Sequence, residues 1–279
     1  MKRLLAIEFQ KLWLNKWSRV LTIAYFAFLC CIALVASIKF NILGKEISIA
    51  EQGVFNFPYI WHINTYIAAW LKLFLALIVV SMVANEYSYG TLKQNLIDGM
   101  SKKEFILSKF GTIVVFSVAS TVFIFVVSLI LGLCFSSFKE MDIIFSGMSY
   151  LFGYFLKLVC FFSICLFAGV LVKRSAFALG ALFIWWILEF LIQFQVCRNL
   201  ISDTVLADKI ANLLPFGAMG NLIKEPFTRF SAYKAIESSV NNKIVVRDYS
   251  IHWYEIAIVV FWIVFFVLMS YKILKKRDL

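Results

Sequence analysis

The chain has 279 residues, 62% of them hydrophobic, only 15% charged, with a formal net charge of +11. Soluble domains carry about a quarter charged residues, and here the apolar residues come in long runs, which excludes an ordinary soluble enzyme and points to an all-α integral membrane protein. A basic excess can mark nucleic-acid binding, but in a membrane protein the commoner cause is retention of Lys and Arg on the cytoplasmic side.

The first stretch, MKRLLAIEFQKLWLNKWSRVL, places Leu5, Phe9, Leu12, Trp13, Trp17 and Val20 on one side of a helix, and Lys2, Gln10, Lys11, Asn15 and Ser18 mostly on the other. A helix with Trp and Lys at its boundary lies in the plane of the membrane interface. Residues 1–19 are therefore expected as an interfacial helix rather than a simple polar anchor. The polar lead is too long for the n-region of a cleaved signal peptide, and none is expected.

A spanning helix needs about 20 apolar residues, and six segments qualify: 20–38, 64–84, 110–135, 149–172, 176–196 and 255–271. In hydrocarbon the backbone must satisfy its own hydrogen bonds, so each is expected to be helical. Basic residues cluster at alternate span ends: in the first 19 residues, at Lys93, Lys102, Lys103 and Lys109, at Lys173 and Arg174, and after 271. The short loops on the other side hold only Lys39, Lys45 and Lys139. The positive-inside rule then puts both termini and the loop 85–109 in the cytoplasm, in a multi-pass protein of the cell membrane. Residues 197–254 form the one long outer loop, and a single transmembrane domain covers 1–279.

Loop 85–109 carries helical signals. Leu92, Leu96 and Met100 share a face; Gly99 stands where helices end; Ser101-Lys102-Lys103-Glu104 is a capping-box pattern in which the Ser101 hydroxyl and the Glu104 carboxylate satisfy each other's backbone N–H groups. A short helix, a glycine stop and a capped helix suit a docking knob for a soluble partner. An ordinary structured loop is the plain alternative.

Lys72, Lys157 and Glu189 fall inside spans, each seven or eight residues from the outer end, about 11 Å at 1.5 Å per residue. Such groups face the bundle interior, a partner or water. Glu189 could pair with either lysine. The functional expectation is an outward-facing cavity for an amphipathic or anionic substrate; the alternative is snorkelling lysines and a structural ion pair. His62 and His252, among aromatics, are expected in an interfacial belt. The six cysteines lie in apolar runs without CxxC spacing and are expected to pack as small hydrophobes. Within 197–254, Pro215 and Gly217 break a helical pattern, which suits re-entrant half-helices; 228–240 is expected as a surface helix and KIVVRDYSI as a short strand. No catalytic or metal constellation is expected.

The loop NEYSYGTLKQNLIDGMSKKEFILSKF resembles the signature of type-2 ATP-binding-cassette (ABC) permeases, the export class for drugs, polysaccharides and antimicrobial peptides. Glu86, Gly90-Thr91-Leu92, Ser101-Lys102 and Lys109 match its positions, with Met100 where proline is frequent. IEFQKLWLNKW, with Glu8 and Lys11, is similar to the family's amino-terminal Glu-x-x-Lys segment, and NLLPFGAMGNLI to its proline-containing segment after the fifth span. The resemblance implies a permease without its own ATPase site or cofactor, paired with a second permease chain and two copies of an ABC ATP-binding subunit that holds ATP and Mg. It implies further that the loop is the coupling helix. Leu92 and Leu96 would then be its apolar contacts, Lys93, Asp98 and Lys102 would set register electrostatically, and the interfacial helix would buttress it. The alternatives from other classes are an intramembrane lipid-modifying enzyme, for which no suitable His, Asp, Glu or Cys constellation is present, and a non-transporting scaffold. Nucleic acid is not an expected partner.

Overall fold

The computed structural model describes residues 2–37, 39–42, 45–48, 54–138, 140–193, 209–229 and 248–277. In chain order these form α1 (Lys2–Leu14), α2 (Lys16–Ser37), a hairpin of β1 (Lys39–Ile42) and β2 (Lys45–Ser48), α3 (Tyr59–Trp70), α4 (Lys72–Ser88), α5 (Thr91–Ile97), α6 (Lys102–Phe135), α7 (Met141–Phe145), α8 (Ser149–Val172), α9 (Ser175–Leu191), α10 (Pro215–Leu222) and α11 (Trp253–Lys276). The hairpin is antiparallel, with Lys39 opposite Ser48 and Ile42 opposite Lys45.

The bundle is organised around α8. Its sequence is apolar on every side, the pattern of a helix buried all round, and it packs against α3, α4, α6, α9, α10 and α11. The surrounding helices turn apolar side chains outward, among them Val118 and Val122 of α6, Phe183 and Phe190 of α9, and Phe261 and Leu268 of α11. Such an exterior suits hydrocarbon as its solvent.

Among the described residues, Lys102–Phe135, Met141–Val172 and Trp253–Lys276 are long and apolar enough to cross a membrane, and α3 with α4 makes a fourth as a bent pair. The spans expected at 149–172 and 255–271 coincide with α8 and the body of α11, and 110–135 with the greater part of α6. α9, an apolar helix of 17 residues, covers most of 176–196, whose last three residues lie outside the described part.

Two expectations about helix boundaries are corrected. The interfacial helix does not run to residue 19: it stops at Leu14, and the side chain of Asn15 accepts the N–H groups of Trp17 (3.0 Å) and Ser18 (3.3 Å), starting α2 at Lys16. That is the N-cap role in which asparagine competes well with the helix interior. The span expected at 64–84 is not continuous either. It breaks at Leu71, where α3 and α4 meet at 45°. The bend holds no proline or glycine; it coincides with Lys72, whose amine turns over the ring of Phe161, 4.6 Å from the centroid.

The helical pattern is broken before Pro215, as expected: residues 209–211 are helical, 212–214 turn, and Pro215 opens α10, where its fixed φ and missing N–H are harmless, whereas Gly217 lies inside α10. The surface helix expected at 228–240 and most of the expected strand lie outside the described residues; Phe227–Arg229 form one 3-10 turn. His62 and Trp61, expected at the interface, are fully buried, with His62 stacked on Tyr150 at 4.2 Å and its Nε2 2.7 Å from the Lys224 carbonyl. Cys160 and Cys165 are buried, whereas Cys30, Cys31 and Cys134 are on the outside; all five are free thiols, and Cys197 lies outside the described residues.

Candidate coupling site

One end of the bundle gathers α1, the α4–α5–α6 connection and the carboxy-terminal end of α11. At the close of α4, Gly90 takes a left-handed conformation (φ 69°), which lets the chain turn directly into α5. α5 then ends in a Schellman motif: Gly99 (φ 97°) donates its N–H to the Leu96 carbonyl (3.2 Å) and Met100 donates to the Asn95 carbonyl (3.0 Å). Two residues on, the expected capping box is in place. Ser101 Oγ accepts the Glu104 N–H at 3.2 Å, and Glu104 Oε2 accepts the Ser101 N–H at 2.9 Å. Both ends of the short helix and the start of α6 are thereby fixed by local hydrogen bonds.

Beneath α5 lies a closed ionic network. The fully buried amine of Lys109 donates to Glu8 Oε2 and to Glu86 Oε1, both at 2.6 Å. Glu86 also accepts from the Lys11 amine (3.0 Å) and the Thr91 hydroxyl (2.5 Å). Two carboxylates and two amines balance, and each buried carboxylate meets an ammonium directly. Desolvating charges is tolerable only under such conditions. The four ions come from α1, α4 and α6, and Thr91 adds the first residue of α5. The network is completed by packing: Leu5 lies so close to Gly111 that a Cβ there would sit 2.9 Å from its Cδ2, and Phe9 meets Phe116 at 5.7 Å. Residues far apart in the sequence that were expected to couple or to buttress are thus brought into direct contact.

Three expectations about individual residues change. Leu92 is 1% exposed and packs into the bundle core, and Leu96 is partly buried against it, so their apolar face is turned mainly toward the chain itself. The same face that sequence spacing marks as apolar is the face α5 uses to hold itself down. Its free side carries Lys93 and Ile97, one helical turn apart, with Ile97 76% exposed; Tyr89, 75% exposed, stands beside them at the end of α4, before the left-handed Gly90. Ile97, exposed four residues after Lys93 on α5, was not among the expected residues, although that spacing was legible. Lys102 is occupied within the chain: its amine donates to the carbonyls of Arg277 (2.7 Å) and Lys275 (3.4 Å). Arg277 in turn donates to the Val170 and Leu171 carbonyls at the end of α8. Lys93 and Asp98 are exposed as expected, as are Trp13 and Trp17 on the outer side of α1 and α2.

Lys72 and Lys157 line one cavity of about 890 Å³ between α3, α4, α8, α9 and α10. Glu189 is not with them. Its Oε1 accepts the N–H of Gly217, the third residue of α10, at 2.8 Å, with Gln193 Nε2 at 3.4 Å. The expected Glu189–lysine pair is therefore replaced by a carboxylate at a helix N-terminus, where the backbone supplies free donors and a favourable dipole.

A sequence comparison matches residues 4–191 to the ABC-2 family transporter proteins. No curated protein matches the chain. The matched region contains every member of the ionic network and, of the cavity lysines, Lys72 and Lys157.

Proposed function

The chain belongs to the ABC-2 transporter family, and from that premise we propose that it is the membrane-spanning permease subunit of an ATP-driven exporter, moved by a separate ATP-binding subunit that docks on α5. ATP and Mg are held by that partner, two copies of which serve two permease chains. The end of the bundle bearing α1, α5 and the end of α11 is cytoplasmic, in keeping with the clustering of Lys and Arg there.

The observation that carries this reading is the construction of α5. A seven-residue helix is too short to be stable alone, yet this one is stopped at Gly99, followed by a capped helix and seated on an ion network whose centre, Lys109 with Glu8 and Glu86, is buried. Force applied to its free side passes into α4 and α6 without loss in a flexible loop. Exposed Tyr89 at the turn into α5 and exposed Ile97 at its far end give a partner apolar surface to bury, with Lys93 and Asp98 for register.

The test is co-purification of the ATP-binding subunit with a Tyr89→Ala/Ile97→Asp variant. Both side chains are on the surface, so the melting temperature stays near that of the parent, while the subunit is lost and ATP hydrolysis no longer responds to the permease. Retention of the subunit by a folded double variant would remove α5 as the docking element.

A further inference from the structure

Lys157 is 7% exposed and lies nine residues into α8, about 12 Å from its outer start at 1.5 Å per residue. Lys72 opens α4 at the break in the bent span and reaches the same cavity. Among the described residues neither amine has a carboxylate partner: Glu189 is turned to Gly217, and the ion pairs of Lys109, Lys11 and Lys224 lie elsewhere. Lys224, at the cavity rim, is bound to Glu255 at 3.3 Å, and Glu225, the carboxylate at that rim, is exposed and in no ion pair with either amine. Two lysine amines without a carboxylate partner thus share one cavity at membrane depth, where ionisable groups are costly and mark a pathway or a ligand.

The remaining wall is apolar and aromatic, with Trp70, Leu77, Phe161, Phe183 and Trp186 among the lining residues. Its volume of about 890 Å³ is within the range of sites that enclose a drug-sized ligand. Trp70, Leu73 and Phe183 are more than half exposed, so the cavity opens sideways, where an apolar tail could enter from hydrocarbon. Irregular backbone at membrane depth, as at Leu71, is tolerated where it lines a cavity.

We infer that this cavity binds an anionic amphiphile: an acidic phosphate or carboxylate head between Lys72 and Lys157, and an apolar body against the aromatic wall. Joined to the permease reading, on which its role in transport rests, this assigns the transported class; as a binding site it stands without it. Snorkelling does not account for Lys157, which is buried, and a structural ion pair lacks its carboxylate.

The experiment uses the full-length chain in phosphatidylcholine nanodiscs without an ATP-binding subunit, and radiolabelled dodecyl phosphate as probe. Binding is expected to saturate, to be unaffected by dodecylphosphocholine or inorganic phosphate, and to weaken about tenfold or more in Lys157→Met, the loss of a charged hydrogen bond. Adding Lys72→Met is expected to weaken it further. Both variants are expected to melt no lower than the parent, because a buried amine without a carboxylate partner is replaced by an apolar side chain. Unchanged binding by the double variant would overturn the site, and so would a lower melting temperature with binding retained, which is the behaviour of a structural charge. Displacement by phosphatidylglycerol in the disc assigns the site to a bilayer lipid; resistance to displacement assigns it to an amphiphile from another source. If dodecyl phosphate binds as described but no ATP-binding subunit ever joins the chain, the permease reading fails and the site stands.

Discussion

Replacing Lys109 by methionine removes the central ion of the network and keeps most of its volume. In the parent, its amine is 2.6 Å from both Glu8 and Glu86 and wholly buried. Without it Glu86 retains Lys11 and Thr91, but Glu8, 7% exposed at its side chain, has no other ion pair among the described residues. Removing one partner of a buried pair costs about 3–5 kcal/mol, most of it from the orphaned charge. For a domain of this size that corresponds to a fall in melting temperature on the order of 10 °C. The second half of the experiment is a double-mutant cycle. Glu8→Gln in the Lys109→Met background removes the orphan and is expected to recover part of the loss, giving a coupling of about 1–3 kcal/mol. Thermal melts of the purified chain in detergent, followed by intrinsic fluorescence, supply all four corners. A Lys109→Met protein that melts with the parent, or strictly additive single effects, would show that the four ions are not one unit.

The turn that stops α5 offers a second measurement. Gly99→Ala places a Cβ on a residue at φ 97° with open space around it, so the cost is backbone strain alone, about 1–2 kcal/mol; a melt unchanged from the parent would deny the left-handed stop. At the other end of the bundle, Glu189→Ala removes the acceptor of the Gly217 N–H and is expected to cost about 1–2 kcal/mol, as for loss of a cap. Glu189→Gln keeps an acceptor oxygen and is expected to melt near the parent, whereas a carboxylate paired with a lysine would make Gln as damaging as Ala.

Much of this architecture was legible in the sequence, for reasons that differ by element. The helix of α8 was legible because an apolar run bounded by Gly147 and by Lys173-Arg174 has no other stable solution in a bilayer. The capping box of Ser101 and Glu104 is a local device, and local devices survive folding unchanged. Positions where long-range contacts decide were the ones misjudged. Spacing put Leu92 and Leu96 on an apolar face, but nothing local says whether that face meets a partner or the chain's own core. Glu189 and the lysines share a depth, yet α10 arrives from a segment far along the chain and offers the carboxylate a nearer donor. The break at Leu71 has no proline or glycine to announce it. The network around Lys109 joins residues separated by up to 101 positions, and only the resemblance of the two motifs hinted that Glu8 and Lys109 belong together.

The most direct examination of the central claim is made at Ile97, in a chain whose native cysteines are replaced and which carries Ile97→Cys, expressed together with its ATP-binding subunit. A membrane-impermeant thiol reagent added to intact cells is expected to leave the residue unlabelled, and a short bifunctional cross-linker in opened membranes to join it to the ATP-binding subunit in a yield that changes when ATP is supplied. Labelling from outside the cell, or a cross-link yield no higher than that of a cysteine placed at Phe261 on the outward face of α11, would contradict the assignment of α5 as the element through which the motor drives the membrane helices.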